Sequence, residues 1–191
     1  MRIGLNIDNC VRDFTSALVK TYKDRYPEDN VEKITEWELS KFFPLGKKIY
    51  NFIYTTQTKN IFYENAYPYD DVEDGLEELK NLGHTFVYLS RQKPKSKMFT
   101  QKWLEYYEFP WNEVYYFDVE ENHKEFKSSI DCDIYLEDLP IDLMELQNAG
   151  KTVVRRLHPW NENLIEFSGK TVKNFSEFVE FVKIFSMNRA Q

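Results

Sequence analysis

The chain has 191 residues, of which 42% are hydrophobic and 17% aromatic, and its formal net charge is −7. This length is enough for one domain with a buried core and a modest insertion. The acidic balance argues against a partner that is a nucleic-acid polymer, because such binders carry clustered Lys and Arg.

The start of the chain lacks the basic and apolar regions of a signal peptide, and no apolar run approaches membrane-spanning length. We therefore expect a cytoplasmic protein with no membrane partner. Cys10 and Cys132 are the only cysteines, and neither stands in a CxxC pair or beside a His at metal-ligand spacing. Neither a disulfide framework nor a structural zinc site is indicated.

Apolar periodicity predicts alternating strands and helices along the chain. Near-continuous apolar runs predict buried parallel strands at residues 3–7, 85–89, 133–136 and 152–154. Apolar residues at helical spacing predict helices at residues 11–22, 72–81, 96–107, 122–130, 140–148 and 174–185. This order is typical of an α/β fold with a doubly wound, Rossmann-like parallel sheet.

One stretch breaks this alternation. Residues 32–43 and 47–56 both show helical spacing and many aromatic side chains, with no strand between them and the first helix. We interpret residues 28–69 as a small helical cap inserted into a core domain of residues 1–27 and 70–191. The tail, residues 187–191, is expected to be frayed.

Polar side chains follow three of the predicted strands at the point where each strand ends. Asn6 and Asp8 close the first strand, Ser90 the second, and Glu137 with Asp138 the third. The carboxyl ends of parallel strands meet at one edge of the sheet, where such folds bind ligands. These side chains are therefore expected to form a single site.

These motifs resemble those of the haloacid dehalogenase (HAD) superfamily, and more closely its pyrimidine 5'(3')-deoxyribonucleotidase branch of cytosolic type C nucleotidases. The resemblance rests on residues 3–9 with Asp13 and Phe14, on residues 86–91, and on residues 134–140. It extends to residues 59–68 and 158–161, and so covers nearly the whole chain. The family's phosphate-binding lysine corresponds to Lys124 or Lys127, of which we prefer Lys124 at the predicted helix start.

The resemblance implies a magnesium-dependent phosphomonoesterase that acts on a nucleoside monophosphate through an aspartyl-phosphate. Asn6 takes the nucleophile position, Asp8 is the acid/base, and Ser90 and Lys124 bind phosphate. The Mg²⁺ ligands are the side chains of Asn6 and Asp138 and the backbone carbonyl of Asp8. The residues that face the substrate are Phe14, Arg91, Trp37 and Phe43, and the resemblance leaves room for a homodimer.

The departure from the family pattern is Asn6. A neutral amide is a poor nucleophile and a weaker Mg²⁺ ligand than a carboxylate, so we expect little or no phosphatase activity. The chain is either a natural pseudoenzyme that keeps the site for binding or one with an introduced Asp-to-Asn change that traps a substrate. The alternative function is a catalytically silent nucleotide- or protein-binding module, while the long insertion argues against a response-regulator-like receiver.

Structural roles compete with these functional ones. Asp8 or Asn9 could cap the first helix, and Phe14 lies on that helix's apolar stripe. Glu137 and Asp138 could simply place negative charge at the start of the next helix. The combined order of the motifs favours the functional interpretation for Asp8, Ser90 and Asp138, and leaves Glu137 undecided.

Overall fold

A computed structural model of the chain describes residues 1–117 and 127–189. It contains one parallel sheet with strand order β3-β2-β1-β4-β5-β6. The strands are β1 (Arg2–Asn6), β2 (Thr85–Ser90), β3 (Glu113–Tyr116), β4 (Ile134–Glu137), β5 (Val153–Arg156) and β6 (Lys170–Val172). The α-helices are α1 (Phe14–Arg25), α2 (Lys48–Thr58), α3 (Val72–Asn81), α4 (Lys97–Tyr106), α5 (Pro140–Asn148) and α6 (Phe175–Arg189).

The sheet is buried on both faces, which confirms the predicted doubly wound α/β fold. Along β2, Phe86 and Tyr88 pack into a core cluster shared with α1, α3 and α6. The intervening Val87 and Leu89 pack into a second cluster with Leu143 of α5 on the opposite face. Successive side chains of a strand point to opposite faces, so a strand that is apolar at every position needs a layer on each side.

The four predicted strands correspond to β1, β2, β4 and β5, and two further strands were missed. Both β3 and β6 lie at the edges of the sheet. Strand β3 begins at exposed Glu113 and is otherwise half-buried, and β6 has only three residues. Edge strands need not be apolar at every position, so their sequences carry a weaker signal.

The predicted helices at residues 72–81, 96–107 and 140–148 are confirmed as α3, α4 and α5, and the helix at 47–56 as α2. The last helix continues to Arg189, whose guanidinium lies 2.5 Å from Asp133 Oδ1, so the expectation of fraying from residue 187 was wrong up to that point. The helix predicted at residues 122–130 falls mostly outside the described residues. Its described end is a 3-10 turn at Lys127–Ser129.

The helix predicted at residues 32–43 is wrong. Only Leu39–Lys41 form a helical turn, of the 3-10 type. The backbone N–H of Glu32 donates to the carbonyl of Phe42 at 3.1 Å. An α-helix of ten residues would hold these groups about 15 Å apart, so the segment closes on itself as a loop. It still buries Ile34, Leu39, Phe42 and Phe43.

None of the described helices has the length and apolar character needed to span a bilayer.

Packing between α3 and α6 depends on a glycine. A Cβ added at Gly75 would lie 2.6 Å from Phe175 Cδ1 and 3.0 Å from Val179 Cγ2, both on α6. We expect Gly75→Ala to lower the free energy of unfolding by about 1–3 kcal/mol through overpacking. This loss outweighs the gain of up to about 1 kcal/mol that alanine brings to a helix interior.

Denaturant unfolding measures this effect, and Glu77→Ala, at an exposed position of the same helix, is the matched control. A Gly75→Ala protein at least as stable as the parent would show that α6 can move away from α3 at no cost.

Candidate active site

The predicted site residues converge where the strand order reverses. Leu5 of β1 pairs with Leu136 of β4, and Asn6 pairs with Leu89 of β2. The next residues along β1, β4 and β2 therefore emerge together at the carboxyl edge. In open α/β sheets this is the point where two connections diverge and leave a crevice for a ligand.

The amide of Asn6 bridges three groups at this edge. Its Nδ2 donates to the backbone carbonyl of Asp8 at 2.8 Å and to Asp138 Oδ1 at 2.7 Å. Its Oδ1 accepts a hydrogen bond from Lys127 Nζ at 3.2 Å. The orientation follows from these partners, because the reverse would set the amide oxygen against two acceptors and the amide nitrogen against an ammonium group.

Asp138 is fully buried and receives neutral donors on both oxygens. Oδ1 accepts from Asn6, and Oδ2 accepts from Trp160 Nε1 at 3.0 Å. Burial, followed by the adjacent charge of Glu137, raises the pKa of this carboxyl well above its usual value. The ionised form of Asp138 is therefore disfavoured unless a further donor or a cation approaches it.

Lys127 is the charged centre beneath this edge. Its ammonium group is buried, pairs with Glu137, and lies 2.9 Å from Asp142 Oδ2. Burial alone would lower the pKa of Lys127, but the two carboxylates outweigh burial and raise it. Lys124, the lysine preferred for its place at the predicted helix start, lies outside the described residues.

Arg91 reaches the same network from the cavity side. Its Nε donates to Asp142 Oδ2 at 2.7 Å, and Nη2 pairs with the other oxygen. Burial would raise the pKa of Asp142, but the charges of Lys127 and Arg91 lower it. Sequence reasoning missed Asp142, because nothing in the pattern of α5 distinguishes it from a helix-start acid.

Asp8 is held by an arginine that sequence reasoning also missed. Arg12 Nε and Nη2 donate to Asp8 Oδ1 at 2.9 and 2.6 Å. Arg12 is fully buried, and its guanidinium lies 5.0–5.5 Å from the ring centres of Phe62, Tyr63 and Trp103. A buried cation on an aromatic surface needs an anionic partner, and Asp8 supplies it.

The alternative structural role for Asp8 is excluded. Helix α1 begins at Phe14, and its N-cap is Asp13, whose side chain accepts from the backbone N–H of Ser16 at 3.0 Å. Asn9 Oδ1 accepts from Thr15, which further secures this helix start. Asp8 therefore takes no part in capping α1, and it lines the cavity.

A cavity of about 270 Å³ opens above these groups. Phe14 and Trp37 line it, with ring centres 6.2 Å apart. Phe43 does not; it packs on Tyr22 in the core. Buried Ser90 accepts from the backbone N–H of Gln92 at 3.1 Å. The cavity is lined by Asn6, Asp8, Phe14, Trp37, Leu39, Tyr50, Ile53, Gln57, Arg91, Gln92, Asp138 and Leu139.

The side chains present fit a divalent cation poorly. In the described part of the chain, no group of three His, Cys, Asp or Glu side chains is arranged to hold a metal ion. Of the described acids at the carboxyl edge, Glu137 and Asp142 are paired with Lys127 and Asp8 with Arg12, so Asp138 is the carboxylate that an ion could recruit. The amide oxygen of Asn6 is directed to Lys127 instead.

The structural relatives establish the fold. A haloacid dehalogenase-like hydrolase from Streptococcus pneumoniae superposes with a TM-score of 0.64 at 16% identity, covering 95% of this chain and 97% of that one. A candidate β-phosphoglucomutase from Thermotoga maritima gives a TM-score of 0.62 at 15% identity, covering 95% and 98%. At such identities the likeness establishes the HAD-like fold.

The family follows from the sequence. The family described as "5' nucleotidase, deoxy (Pyrimidine), cytosolic type C protein" matches residues 1–182, so the chain belongs to it and is a HAD-superfamily phosphatase scaffold. A candidate nucleotidase from Oceanobacillus iheyensis is 21% identical over 174 residues, covering 88% of this chain and 93% of that protein. The family resemblance drawn from the motifs is confirmed.

A pH dependence follows from the histidine behind the site. His158 Nε2 lies 2.8 Å from the carbonyl of Asn9, and its ring stacks on Trp160. Burial lowers the pKa of His158 to about 4, against 6.5 for an exposed histidine. Between these values the unfolded chain binds the proton and the folded chain does not, so stability falls as the pH drops from 6.5 to 4.

His158→Gln should therefore flatten the decline of the unfolding free energy across this window. Each unit of pKa difference is worth about 1.4 kcal/mol. Urea unfolding at several pH values measures the slope. The control is His84→Gln, at the opposite edge of the sheet, which should change this slope less. Equal slopes in the parent and His158→Gln proteins would contradict a buried, neutral His158.

Proposed function

We propose that the chain is a 5'-nucleotidase-like phosphomonoesterase scaffold for (deoxy)nucleoside monophosphates, whose catalytic form carries a carboxylate at position 6. The observation that carries this proposal is the convergence of Asn6, Asp8, Lys127 and Asp138 at one edge of the sheet beneath an aromatic cavity. Family membership supports phosphate-ester hydrolysis, and the rings support a nucleobase.

In the proposed reaction, a carboxylate at position 6 attacks phosphorus and the ester oxygen leaves. Asp8, which faces the cavity, gives that oxygen a proton and then takes one from the water that hydrolyses the aspartyl-phosphate. Lys127 contacts the side chain at position 6, so we assign it the phosphate-binding role, together with Ser90. Mg²⁺ is the cofactor proposed for this carboxylate form, where it would neutralise phosphate charge.

The nucleobase is proposed to lie between Phe14 and Trp37. Tyr50, Ile53 and Gln57 of α2 line the same cavity and belong to the segment interpreted as a cap, residues 28–69. This contribution supports a role for that segment in enclosing the substrate. Arg91 borders the cavity but is paired with Asp142, so we assign it to orienting the phosphate-binding network.

A second candidate is a catalytically silent nucleotide-binding module. It is favoured by the complete hydrogen bonding of Asn6, whose two amide hydrogens and carbonyl oxygen all have partners. The cavity then serves binding alone. We extend the cytosolic location in the family description to this chain as part of either proposal.

The first test restores the nucleophile. Asn6→Asp is nearly isosteric, and we expect it to create Mg²⁺-dependent hydrolysis of nucleoside monophosphates with a hydroxylamine-sensitive phosphoenzyme. The gain should be roughly 10³-fold or more, since removal of a covalent nucleophile commonly costs that much. Phosphate release over a broad panel of monophosphates measures it.

The control for this test is the double variant Asn6→Asp with Asp8→Asn, which should lose the activity again. A folded Asn6→Asp protein that hydrolyses no phosphomonoester would reject the phosphatase and leave the binding module. Activity on sugar phosphates but not nucleotides would reject the nucleotide assignment.

The second test concerns base recognition. Phe14→Ala should weaken binding of thymidine 5'-monophosphate more than binding of inorganic phosphate, because stacking of a base on an aromatic ring is worth ~1–3 kcal/mol. Calorimetric titration with both ligands gives the ratio of the two losses. Phe43→Ala is the matched control, because it removes a ring from the core without opening the cavity wall.

We expect Phe43→Ala to lower Tm but leave the ratio of nucleotide to phosphate affinity unchanged. If Phe14→Ala weakened both ligands equally, Phe14 would be a packing residue and not a base contact.

A further inference from the structure

The Asn6 amide occupies the place where a metal ion would have to bind. Its NH₂ group donates to the Asp8 carbonyl oxygen and to Asp138 Oδ1, at 2.8 and 2.7 Å. These are the two oxygens, apart from position 6 itself, that the family pattern assigns to a divalent cation. The amide hydrogens therefore lie between the oxygens that a cation would have to join.

The charges around the amide are already balanced. Lys127 pairs with Glu137 and Asp142, and Arg91 also pairs with Asp142. Asp138 accepts hydrogen bonds from two neutral donors, Asn6 and Trp160. A cation entering this site would have to displace the amide hydrogens and would gain a single carboxylate, although hard divalent cations are held by several oxygen ligands.

We propose that in this chain the Asn6 amide takes the structural place of the divalent cation, so that the site assembles without metal. The inference deepens the proposed function, because it concerns the same site. A phosphate monoester that enters the cavity then meets the site with no bridging ion. A neutral ligand at position 6 would by itself predict weak Mg²⁺ binding. With the amide hydrogens of Asn6 in the way, we expect no specific Mg²⁺ binding at all.

The opposite behaviour is expected of Asn6→Asp. An oxygen in place of Nδ2 would face Asp138 Oδ1 across the distance now spanned by a hydrogen bond of 2.7 Å. Two carboxylate oxygens at that separation repel unless they share a proton or a cation joins them. The substitution should therefore lower the stability of the metal-free protein and make it responsive to Mg²⁺.

The decisive experiment measures Mn²⁺ binding by electron paramagnetic resonance, with Mg²⁺ as competitor, on the chain as it stands. We expect no Mn²⁺ site that Mg²⁺ can displace, and a Tm that is the same in EDTA and in Mg²⁺. Asn6→Asp should bind one Mn²⁺, and its Tm should rise by roughly 5 °C or more at a hundredfold excess of Mg²⁺ over its Kd.

Asn9→Asp is the matched control. It adds a carboxylate three residues away at a buried position, where the amide nitrogen of Asn9 has no hydrogen-bond partner to lose among the described residues. Its Tm should not respond to Mg²⁺, which would show that the response of Asn6→Asp belongs to position 6.

A stoichiometric Mn²⁺ site in the Asn6 protein that Mg²⁺ displaces would overturn the inference, even if Asn6→Asp failed to fold. Absence of such a site in the Asn6 protein, together with an Asn6→Asp protein that binds Mn²⁺ but hydrolyses no phosphomonoester, would support the inference and reject the proposed phosphatase.

Discussion

The site depends on one buried ammonium group. Lys127 lies beneath the carboxyl edge of the sheet, paired with Glu137 and Asp142 and bonded to Asn6. Isolated carboxylates at these buried positions would be costly, and removing a single partner from such a network leaves an uncompensated charge. Because Lys127 joins β1, β4 and α5, it fixes where the side chain at position 6 stands relative to the cavity. The remaining contacts of the edge are arranged around that position.

Asp8 is governed by a separate constraint, its pairing with Arg12. Arg12 is enclosed by the rings of Phe62, Tyr63 and Trp103, and these aromatic surfaces exclude water from its charge. The guanidinium therefore binds Asp8 tightly and orients its carboxylate. Two buried cations thus position Asn6 and Asp8, the polar residues at the end of the first strand, and neither cation belongs to the motif that contains them.

The inner architecture could be predicted from the sequence because the buried residues of β1, β2 and β4, and Val153 and Val154 of β5, read as near-continuous apolar runs. The edge strands could not, since Glu113 in β3 and Lys170 in β6 are exposed and break that signal. The apolar residues of the loop at residues 32–43 happen to fall at helical spacing. The hydrogen bond from Glu32 to the Phe42 carbonyl that closes this loop cannot be recognised in the local sequence.

The residues of the candidate site likewise divide into those that the sequence predicts and those that it does not. Asn6, Asp8 and Asp138 stand at strand ends, so topology alone brings them together. Trp160 reaches Asp138 across 22 residues, and Asp142 joins the network through Lys127 and Arg91, so neither contact follows a period in the sequence. Arg12 lies only four residues after Asp8 but precedes helix α1, so its pairing follows no helical pattern. The sequence could not decide between Lys124 and Lys127 as the phosphate-binding lysine, because that choice depends on the distance of each side chain from position 6. The structure describes only Lys127.

Position 6 sets the proposed catalysis against the stability of the metal-free fold. An aspartate there would supply the nucleophile of the proposed reaction, but it would add a further anion beside Asp138, in a region where Lys127 is already engaged by two carboxylates. An asparagine of the same shape removes that charge and converts repulsion into a hydrogen bond with Asp138. The fold therefore tolerates asparagine without a cation, while the proposed phosphatase chemistry would require aspartate with Mg²⁺. This opposition holds whether Asn6 is natural or introduced, because it follows from the charges that surround the position.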